Sequence, residues 1–374
     1  MNSRSNHRDG PAVIYRDRRE PGERATMFAQ LFLGTRLDCA RCHNHPNEKW
    51  TQADFTRFAA FFSGVKQKGA GLSPPISAGT ETFYHAPGGA VKHPVTGEVM
   101  APRPLDGPHR PGAKDEDPRE SLLASLLHPE NPYFAAAAVN RVWAAFFGRG
   151  FVEPVDDFRI SYPAAQPALL AALARDFSAH GYDLKRLMRV IMESSLYQLS
   201  SEPNATNLAD TRNFSRAYRR RLPAEVLLDA VNDATGGTDT FAGLPPGSRA
   251  VQAWSYKIES QFMDAFSRPD PSMDPPCERD AHLSVVQSLH LMNSRGLQGK
   301  LSAADGRARK LAGGTGSAED IVTELYLCTL SRPPLPAELA VATTAFTAPG
   351  ATRVQAAEDV LWALLNSAEF VFNH

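Results

Sequence analysis

The chain has 374 residues, of which 43% are apolar and 22% charged, and its 40 basic and 41 acidic side chains leave a net charge of -1. This composition supports a sizeable buried core and excludes an extensively disordered protein. A general nucleic-acid-binding protein would be far more basic, so we expect no nucleic-acid partner. The longest apolar run, residues 133–148, is interrupted by Asn140 and Arg141, so we expect no membrane span.

The N-terminal 23 residues are polar and rich in arginine, without the apolar core of a signal peptide. Apolar spacing then predicts a helix over 22–38, which the sequence Cys-Ala-Arg-Cys-His at 39–43 closes. Another helix is expected to follow Thr51, because Thr51 and Asp54 form a capping-box pattern.

Residues 64–118 are rich in Gly and Pro and predict a long loop or linker, with room for a short hairpin. Beyond Pro118 periodicity and capping residues, Asp183 among them, predict a mainly helical chain. The expected helices lie at 119–128, 133–147, 165–180, 184–197, 223–235, 282–292, 317–330, 335–347 and 352–369. Residues 237–280 are irregular, with a short strand expected around 250–254. The predicted fold class is mainly α: an irregular multi-helix domain with long Pro/Gly-rich loops and little β-structure.

The segment 39–43 has the Cys-x-x-Cys-His pattern of a c-type haem attachment site. Thiols three residues apart share one side of a helical turn and can form thioethers with one porphyrin. We therefore predict covalent haem c on Cys39 and Cys42, with His43 as the proximal iron ligand. Two alternatives stay open: a tetrahedral zinc site that adds His45 to these residues, and a redox-active or merely structural cysteine pair.

A six-coordinate haem iron needs a second axial ligand, and His45 is too near His43 to reach the opposite face of the porphyrin. Met100, in a loop-like setting, is the distal candidate, and the alternatives are His85, His93 and His109. If none of these binds, the iron is expected to be five-coordinate and open to small ligands.

A charged block near Asp156 is the best argument for an enzyme. It comprises Glu153, Asp156, Asp157 and Arg159, with Arg141 and Arg149 nearby. Paired carboxylates can perform acid–base chemistry, but an ion-pair and capping network is the interpretation that we favour. Arg219, Arg220 and Arg221 suggest either an anion site or exposed residues paired with Glu225.

Several other side chains favour structural interpretations. Trp143, Phe146 and Phe147 are expected in the core, and His290 and Met292 are expected to pack at a helix end. We expect Cys328 to be a buried small hydrophobe and Cys277 to be exposed.

Several sequence blocks together resemble one family. Leu33-Gly34, the run Cys39-Ala40-Arg41-Cys42-His43-Asn44-His45-Pro46 and Lys49-Trp50-Thr51-Gln52 resemble the end of the second planctomycete cytochrome-like domain. The remainder resembles the planctomycete-specific C-terminal domain of unknown function. The supporting blocks include Asn131-Pro132-Tyr133-Phe134, Asn140-Arg141-Val142-Trp143, Glu153-Pro154-Val155-Asp156-Asp157-Phe158-Arg159, Arg221-Leu222-Pro223-Ala224-Glu225 and Leu289-His290-Leu291-Met292-Asn293. The sequence departs from the family at Pro275, where a further cysteine is often found.

The resemblance implies four segments: a disordered or leader segment over 1–21, the end of a cytochrome-like domain over 22–65, a linker over 66–118 and a helical domain over 119–374. It also implies electron transfer with a redox partner or an upstream cytochrome domain, and a periplasmic or other extracytoplasmic location after export. Since no export signal is recognisable in the chain, either the true start lies upstream or the motif carries no haem. The alternatives are a hydrolase or carbohydrate-active enzyme centred on Asp156, and a non-catalytic helical interaction module with a zinc site.

Overall fold

The structure, a computed structural model, describes residues 3–5, 14–15, 18–69, 81–112, 116–253, 258–269 and 284–373. The chain divides into two compact units, Met1–Tyr218 and Arg219–His374. Helices dominate both units, and the strands are short, so the mainly α fold class is confirmed. The four segments expected from the resemblance stay a prediction. Their boundaries follow sequence families, whereas the two units are defined by how compactly the chain packs.

The helices of the first unit lie close to the predicted positions. They are α1 (Pro21–Phe28), α2 (Asp38–Cys42), α3 (Gln52–Ala60), α4 (Pro118–Leu126), α5 (Phe134–Phe147), α6 (Pro167–Ala179) and α7 (Leu184–Met192). The capping box of α3 is present, since Thr51 Oγ1 accepts from the Asp54 backbone N–H at 3.1 Å and Asp54 Oδ2 accepts from the Thr51 N–H at 3.0 Å. Asp183 caps α7 as expected.

The prediction of a single helix over 22–38 is wrong beyond Leu33. A π-helical segment, Ala29–Leu33, continues α1 and ends at Gly34, which adopts a left-handed conformation with φ 60°. Phe158 approaches Gly34 closely, and its backbone N–H donates to the Gly34 carbonyl at 2.7 Å. The Cys-x-x-Cys pair therefore lies on the separate short helix α2 and does not close the preceding helix.

The segment predicted as a loop contains two hairpins. Strands β2 (Val65–Gly69) and β3 (Glu81–His85) pair antiparallel, and β1 (Ser3–Ser5) adds to the other edge of β3. Strands β4 (Val91–Lys92) and β5 (Val99–Met100) form the second hairpin, in which Val91 lies opposite Met100. Backbone pairing of this kind leaves little trace in the hydrophobic pattern when strands are so short.

The described residues of the first unit form two apolar clusters. One is centred on α3 and contains its buried phenylalanines together with residues of the turn around α2: Leu37, Ala40, Trp50, Phe55, Phe58, Phe61 and Phe62. The other is centred on α5, where Trp143 stacks on Phe147 with ring centroids 4.2 Å apart. Trp143 and Phe147 are buried as predicted, while Phe146 is half-buried against Tyr197.

In the second unit, the described helices pack around one apolar cluster. Its helices are α8 (Ala224–Thr235), α9 (Gln261–Ala265), α10 (Val285–Asn293), α11 (Arg295–Leu301), α12 (Arg307–Ala312), α13 (Ala318–Leu330), α14 (Pro336–Thr343), α15 (Arg353–Leu365) and α16 (Ala368–Val371). Helices α9, α11 and α12 were not predicted, and α9 lies in the segment 237–280 that was expected to be irregular. Strands β6 (Arg220–Arg221) and β7 (Phe372–Asn373) pair antiparallel.

The strand predicted around 250–254 is instead a 3-10 helix, Ala250–Gln252, over its described part. The cause is the buried carboxylate of Asp229, whose two oxygens accept from the backbone N–H groups of Ala250 at 2.7 Å and Val251 at 3.1 Å. Helical backbone presents such adjacent N–H groups to an anion, whereas a strand does not. Over the described ranges, no helix combines the length and apolar character needed to span a bilayer.

Candidate functional site

The Cys-x-x-Cys-His turn is an amphipathic helical turn with its reactive side outward. Leu37 and Ala40, three residues apart, are fully buried in the core around α3. Cys39 and Cys42, also three residues apart, are exposed free thiols. Because positions i and i+3 share a helix face, both thiols point away from the core on the same side.

His43 ends α2 and turns the backbone into an extended conformation. Its backbone N–H donates to the Cys39 carbonyl at 3.2 Å, and its ring is exposed. The Nδ1 atom lies 2.8 Å from the Asn44 carbonyl oxygen. Since a carbonyl only accepts, this contact requires a proton on Nδ1, and in the neutral tautomer with that proton the lone pair is on Nε2.

The backbone after the motif is held by the start of α3. The buried side chain of Gln52 donates to the Cys42 carbonyl at 2.7 Å. The backbone N–H of the same Gln52 donates to Asn44 Oδ1 at 3.0 Å. The His45 backbone N–H donates to the Trp50 carbonyl at 2.8 Å, which closes the loop. The motif is therefore positioned by contacts with residues no more than ten positions away in the chain.

Residues far along the chain hold the outer side of the same loop. Lys49 Nζ lies 2.5 Å from Asp106 Oδ2, and the Tyr133 hydroxyl donates to the same oxygen at 2.8 Å. Burial raises the pKa of Tyr133, and the hydrogen bond to Asp106 raises it further, so this hydroxyl remains a donor. Glu48 accepts from the Ile160 N–H at 3.3 Å. The loop is thus attached to residues before and after α4.

This geometry fits the attachment chemistry of haem c. Both thiols are exposed, so a porphyrin can approach them from solvent, and they lie one helical turn apart on one face. The hydrogen bond at His43 Nδ1 is the orienting contact that iron-binding and other metal-binding histidines make. Cys39 and Cys42 would form the thioethers, and His43 Nε2 would bind the iron.

A preformed zinc site is not visible at the turn. Within the described part of the chain, no group of three or more His, Cys, Asp and Glu side chains is placed to hold a metal ion. His45 Nδ1 accepts from the Asn47 backbone N–H at 3.2 Å, which commits that nitrogen to the loop. Zinc binding by Cys39, Cys42, His43 and His45 stays a prediction that would need side-chain movement.

The distal candidates lie elsewhere. Met100, His85 and His109 line one pocket of about 510 Å³ beside the residues that follow α3. The motif adjoins the start of α3, and a nine-residue helix separates its two ends by roughly 12 Å at 1.5 Å per residue. Met100 therefore lies beside the end of α3 and the motif beside its start, and the role of Met100 as a distal ligand stays a prediction.

Two of the candidate histidines, His109 in the pocket and His93 in the second hairpin, differ in environment. Burial lowers the pKa of His109, and the nearby Arg103 lowers it further, which favours the neutral imidazole. His93 Nδ1 accepts from the backbone N–H groups of Val95 and Thr96, each at 3.3 Å, and so stabilises the turn of the second hairpin.

The charged block around Asp156 forms a buried ion-pair network. Asp156 accepts from Gln30 at 2.6 Å and pairs with Arg36 at 2.8 Å. Asp157 pairs with Arg159 at 2.5 Å, and both carboxylates are almost fully buried. The carboxylates therefore connect the 153–159 loop to the turn around Gly34, as expected of a structural network. Because both are paired and buried, they are not two free carboxylates in an open cleft.

The remaining members of the block also make structural contacts. Arg141 donates to the Gln30 carbonyl at 2.9 Å, and Arg149 donates to the Thr211 carbonyl at 3.0 Å. Glu153, which precedes a cis peptide bond to Pro154, accepts from the Gly150 backbone N–H.

In the second unit, Arg221 donates to the Phe266 carbonyl at 2.8 Å and lies over the Phe266 ring, so it is part of the fold. His290 packs edge-on against Phe262 and Phe266, as predicted, and burial lowers its pKa. Met292, predicted to pack, is instead 45% exposed, because its side of α10 faces solvent.

Two cysteine predictions have different outcomes. Cys328 is half-buried among the apolar residues of the second unit, and burial raises its pKa. Cys277 lies outside the described residues.

Sequence reasoning missed the side chains that position the motif. Gln52 and Tyr133 were available as signals, because both lie in blocks that carry the family resemblance. Asp106 lies in the Pro-rich segment with no local signal, and only the fold brings it to Lys49 and Tyr133.

Fold and turn together define a mainly α-helical protein with a surface Cys-x-x-Cys-His motif. The family model PSD1, described as a protein of unknown function (DUF1553), matches residues 118–346. The model PSCyt2, also described as a protein of unknown function (DUF1549), matches residues 3–67. The chain belongs to the PSD1 family, and a planctomycete cytochrome-like PSCyt2 segment precedes its PSD1 region. Both matches confirm the resemblance seen in the sequence. Comparison with curated proteins and with solved structures found no match.

Proposed function

We propose that this protein carries one covalently attached haem c on the turn 39–43 and serves electron transfer outside the cytoplasm. The observation that carries the proposal is the combination of two exposed thiols on one helix face with an imidazole whose Nδ1 faces the Asn44 carbonyl. Haem c supplies one-electron chemistry at a potential set by the axial ligands and the surroundings.

The chain's own residues have separate roles in this proposal. Cys39 and Cys42 provide the sulfurs, and the buried pair Leu37 and Ala40 keeps α2 attached to the core while the other face stays accessible. Gln52 fixes the Cys42 carbonyl and so limits movement of the imidazole that follows. The turn is thereby preorganised before attachment, which reduces the conformational entropy lost on binding.

The placement of Met100 at the far end of α3 favours an iron with a vacant distal side. We accordingly propose that the attached haem is five-coordinate, with His43 as its one protein ligand. Such an iron binds small ligands such as carbon monoxide, whereas a Met-ligated iron resists them. The redox partner is then a protein, or a cytochrome domain upstream, that docks near the exposed turn.

The test is expression of the chain behind an export leader in a host that attaches haem c. A pyridine haemochrome spectrum of the purified protein should show one thioether-linked haem, absent from Cys42→Ala. Cys328→Ala is the matched control, because it removes a half-buried thiol away from the motif and should leave the haem content unchanged.

Two results would overturn the proposal. One is a folded protein without haem from such a host, particularly if it contains one zinc ion that is lost in Cys42→Ala. The other is a haem that survives Cys42→Ala and His43→Ala together. For coordination, failure of the reduced protein to bind carbon monoxide would contradict the five-coordinate state.

A further inference from the structure

A second pocket of the first unit is formed by the end of α4, the start of α5 and one face of α6. Its volume is about 340 Å³, within the usual range of small-molecule sites. The residues that α6 contributes are 167, 170, 171, 174, 175 and 178, which recur at helical spacing. The pocket therefore follows one face of this helix, and it shares no residue with the Cys-x-x-Cys-His turn.

Small apolar side chains keep this space open. Ala135 and Ala136 line the pocket from α5, and Ala171 and Ala174 line it from α6. An alanine methyl group is too small to fill the gap that larger apolar side chains would close in a packed interface. Leu170, which is only 6% exposed, adds to the apolar lining. The pocket therefore offers most of its surface to an apolar ligand.

One wall of the pocket is the side chain of Tyr182, which several contacts hold in place. Its backbone has φ 62°, a conformation that is unfavourable for a residue with a side chain. The hydroxyl donates to the Leu127 carbonyl at 3.0 Å, and the backbone N–H donates to the Phe177 carbonyl at 2.9 Å. The ring packs against Phe134 and Phe177, with ring centroids 5.4 Å apart in each pair. This wall is therefore set by the fold before a ligand enters.

The charge of the lining is positive. Arg175 lines the pocket and makes no ion pair with any residue that the structure describes, since the adjacent Asp176 pairs with Arg186 at 3.1 Å. Among the described lining residues there is no Asp or Glu. His128 also lines the pocket, and its Nδ1 accepts from the Glu130 backbone N–H at 3.2 Å, so Nε2 is the donor of the neutral ring. This lining complements an anionic group.

We propose that this pocket binds a small apolar carboxylate. The hydrocarbon part lies among the alanines of α5 and α6, and the carboxylate pairs with the Arg175 guanidinium, which can bind both of its oxygens. The pocket is built by α4, α5 and α6 alone, so ligand binding there does not rest on the haem proposal.

The experiment measures the binding of 2-naphthoate to the full chain by isothermal titration calorimetry. We expect one equivalent to bind, and the neutral 2-naphthalenemethanol to bind about fivefold more weakly because it carries no charge. Ala171→Leu places a larger side chain in the pocket and should weaken 2-naphthoate binding by about tenfold or more. Ala172→Leu is the matched control, since Ala172 is exposed on the same helix outside the pocket and should leave the affinity unchanged.

Arg175→Met keeps an unbranched side chain and removes the charge. It should weaken 2-naphthoate binding by about fivefold or more and leave the affinity for 2-naphthalenemethanol unchanged. Arg189→Met, at an exposed position of α7 outside the pocket, is the matched control. Because Ala171 and Arg175 are both exposed, we expect both variants to fold, and circular dichroism checks this.

Three results would overturn the proposal. The first is the absence of saturable 2-naphthoate binding. The second is an affinity for 2-naphthoate that Ala171→Leu or Arg175→Met leaves unchanged. The third is a dimer that forms with rising protein concentration and is lost in Ala171→Leu, because the pocket would then receive a second copy of the chain.

Discussion

The left-handed Gly34 between α1 and α2 provides the sharpest quantitative prediction. An alanine there would adopt φ 60°, and its Cβ atom would lie 2.6 Å from Phe158 Cδ2. The left-handed backbone alone costs a non-glycine residue about 1–2 kcal/mol. Overpacking against the ring adds about 1–3 kcal/mol. Gly34→Ala should therefore lower the free energy of unfolding of the first unit by about 2–5 kcal/mol.

Gly181→Ala separates the two contributions. Gly181 has φ 66° and nothing within 4 Å of its hypothetical Cβ, so this variant carries the backbone cost alone, about 1–2 kcal/mol. Hydrogen exchange of the α5 amides reports opening of the part of the first unit that contains α5. Adding Phe158→Ala should recover part of the loss in Gly34→Ala. Equal losses in the two glycine variants would refute the argument that the Phe158 ring leaves no room for a side chain at residue 34.

The remaining predictions concern four side chains. Asp156→Asn should lower the free energy of unfolding measured in urea by about 2–4 kcal/mol, because it removes one partner of a buried ion pair. An unchanged stability together with a lost hydrolytic activity would instead indicate acid–base chemistry. Thr51→Ala should cost about 1 kcal/mol by thermal unfolding through loss of the α3 cap, and no loss would show that the capping box contributes nothing. Tyr133→Phe should raise hydrogen exchange in the 43–50 loop but not in α7, and unaltered exchange would contradict the role of Asp106 in holding that loop. The Arg332 guanidinium holds the pKa of Glu338 at about 2, below its ordinary 4.5, so stability from this pair is complete above that ordinary value and is lost as the pH falls toward 2. Since both partners are partly exposed, we expect at most about 1 kcal/mol, and a Glu338→Gln variant with the same acid unfolding curve would show that the pair contributes nothing.

Local signals in the sequence identified much of the helical structure. Thr51 with Asp54, and Asp183, are caps whose hydrogen bonds form within one helical turn, so their effect can be recognised without knowing the fold. The same holds for α2, where the spacing of the two cysteines already places both thiols on one face. The mainly helical fold and the exposed thiol pair belong to this predictable part.

Features that depend on distant residues were not predictable in this way. The packing of Phe158 on Gly34 and the ion pair of Asp156 with Arg36 each join residues more than a hundred positions apart in the chain. Helix α11 contains Gly296 and Gly299, which disfavour helices locally. Its formation depends on the Ser294 cap and on burial of Leu297 and Leu301 in the second unit.

The central claim is that sulfur atoms of Cys39 and Cys42 hold one porphyrin. Peptide mapping by mass spectrometry, on protein from a host that attaches haem c, tests this claim most directly. We predict one peptide spanning 39–43 that carries a single haem and has no alkylatable thiol. The same peptide recovered without haem, with both thiols alkylated or joined as a disulfide, would contradict the claim.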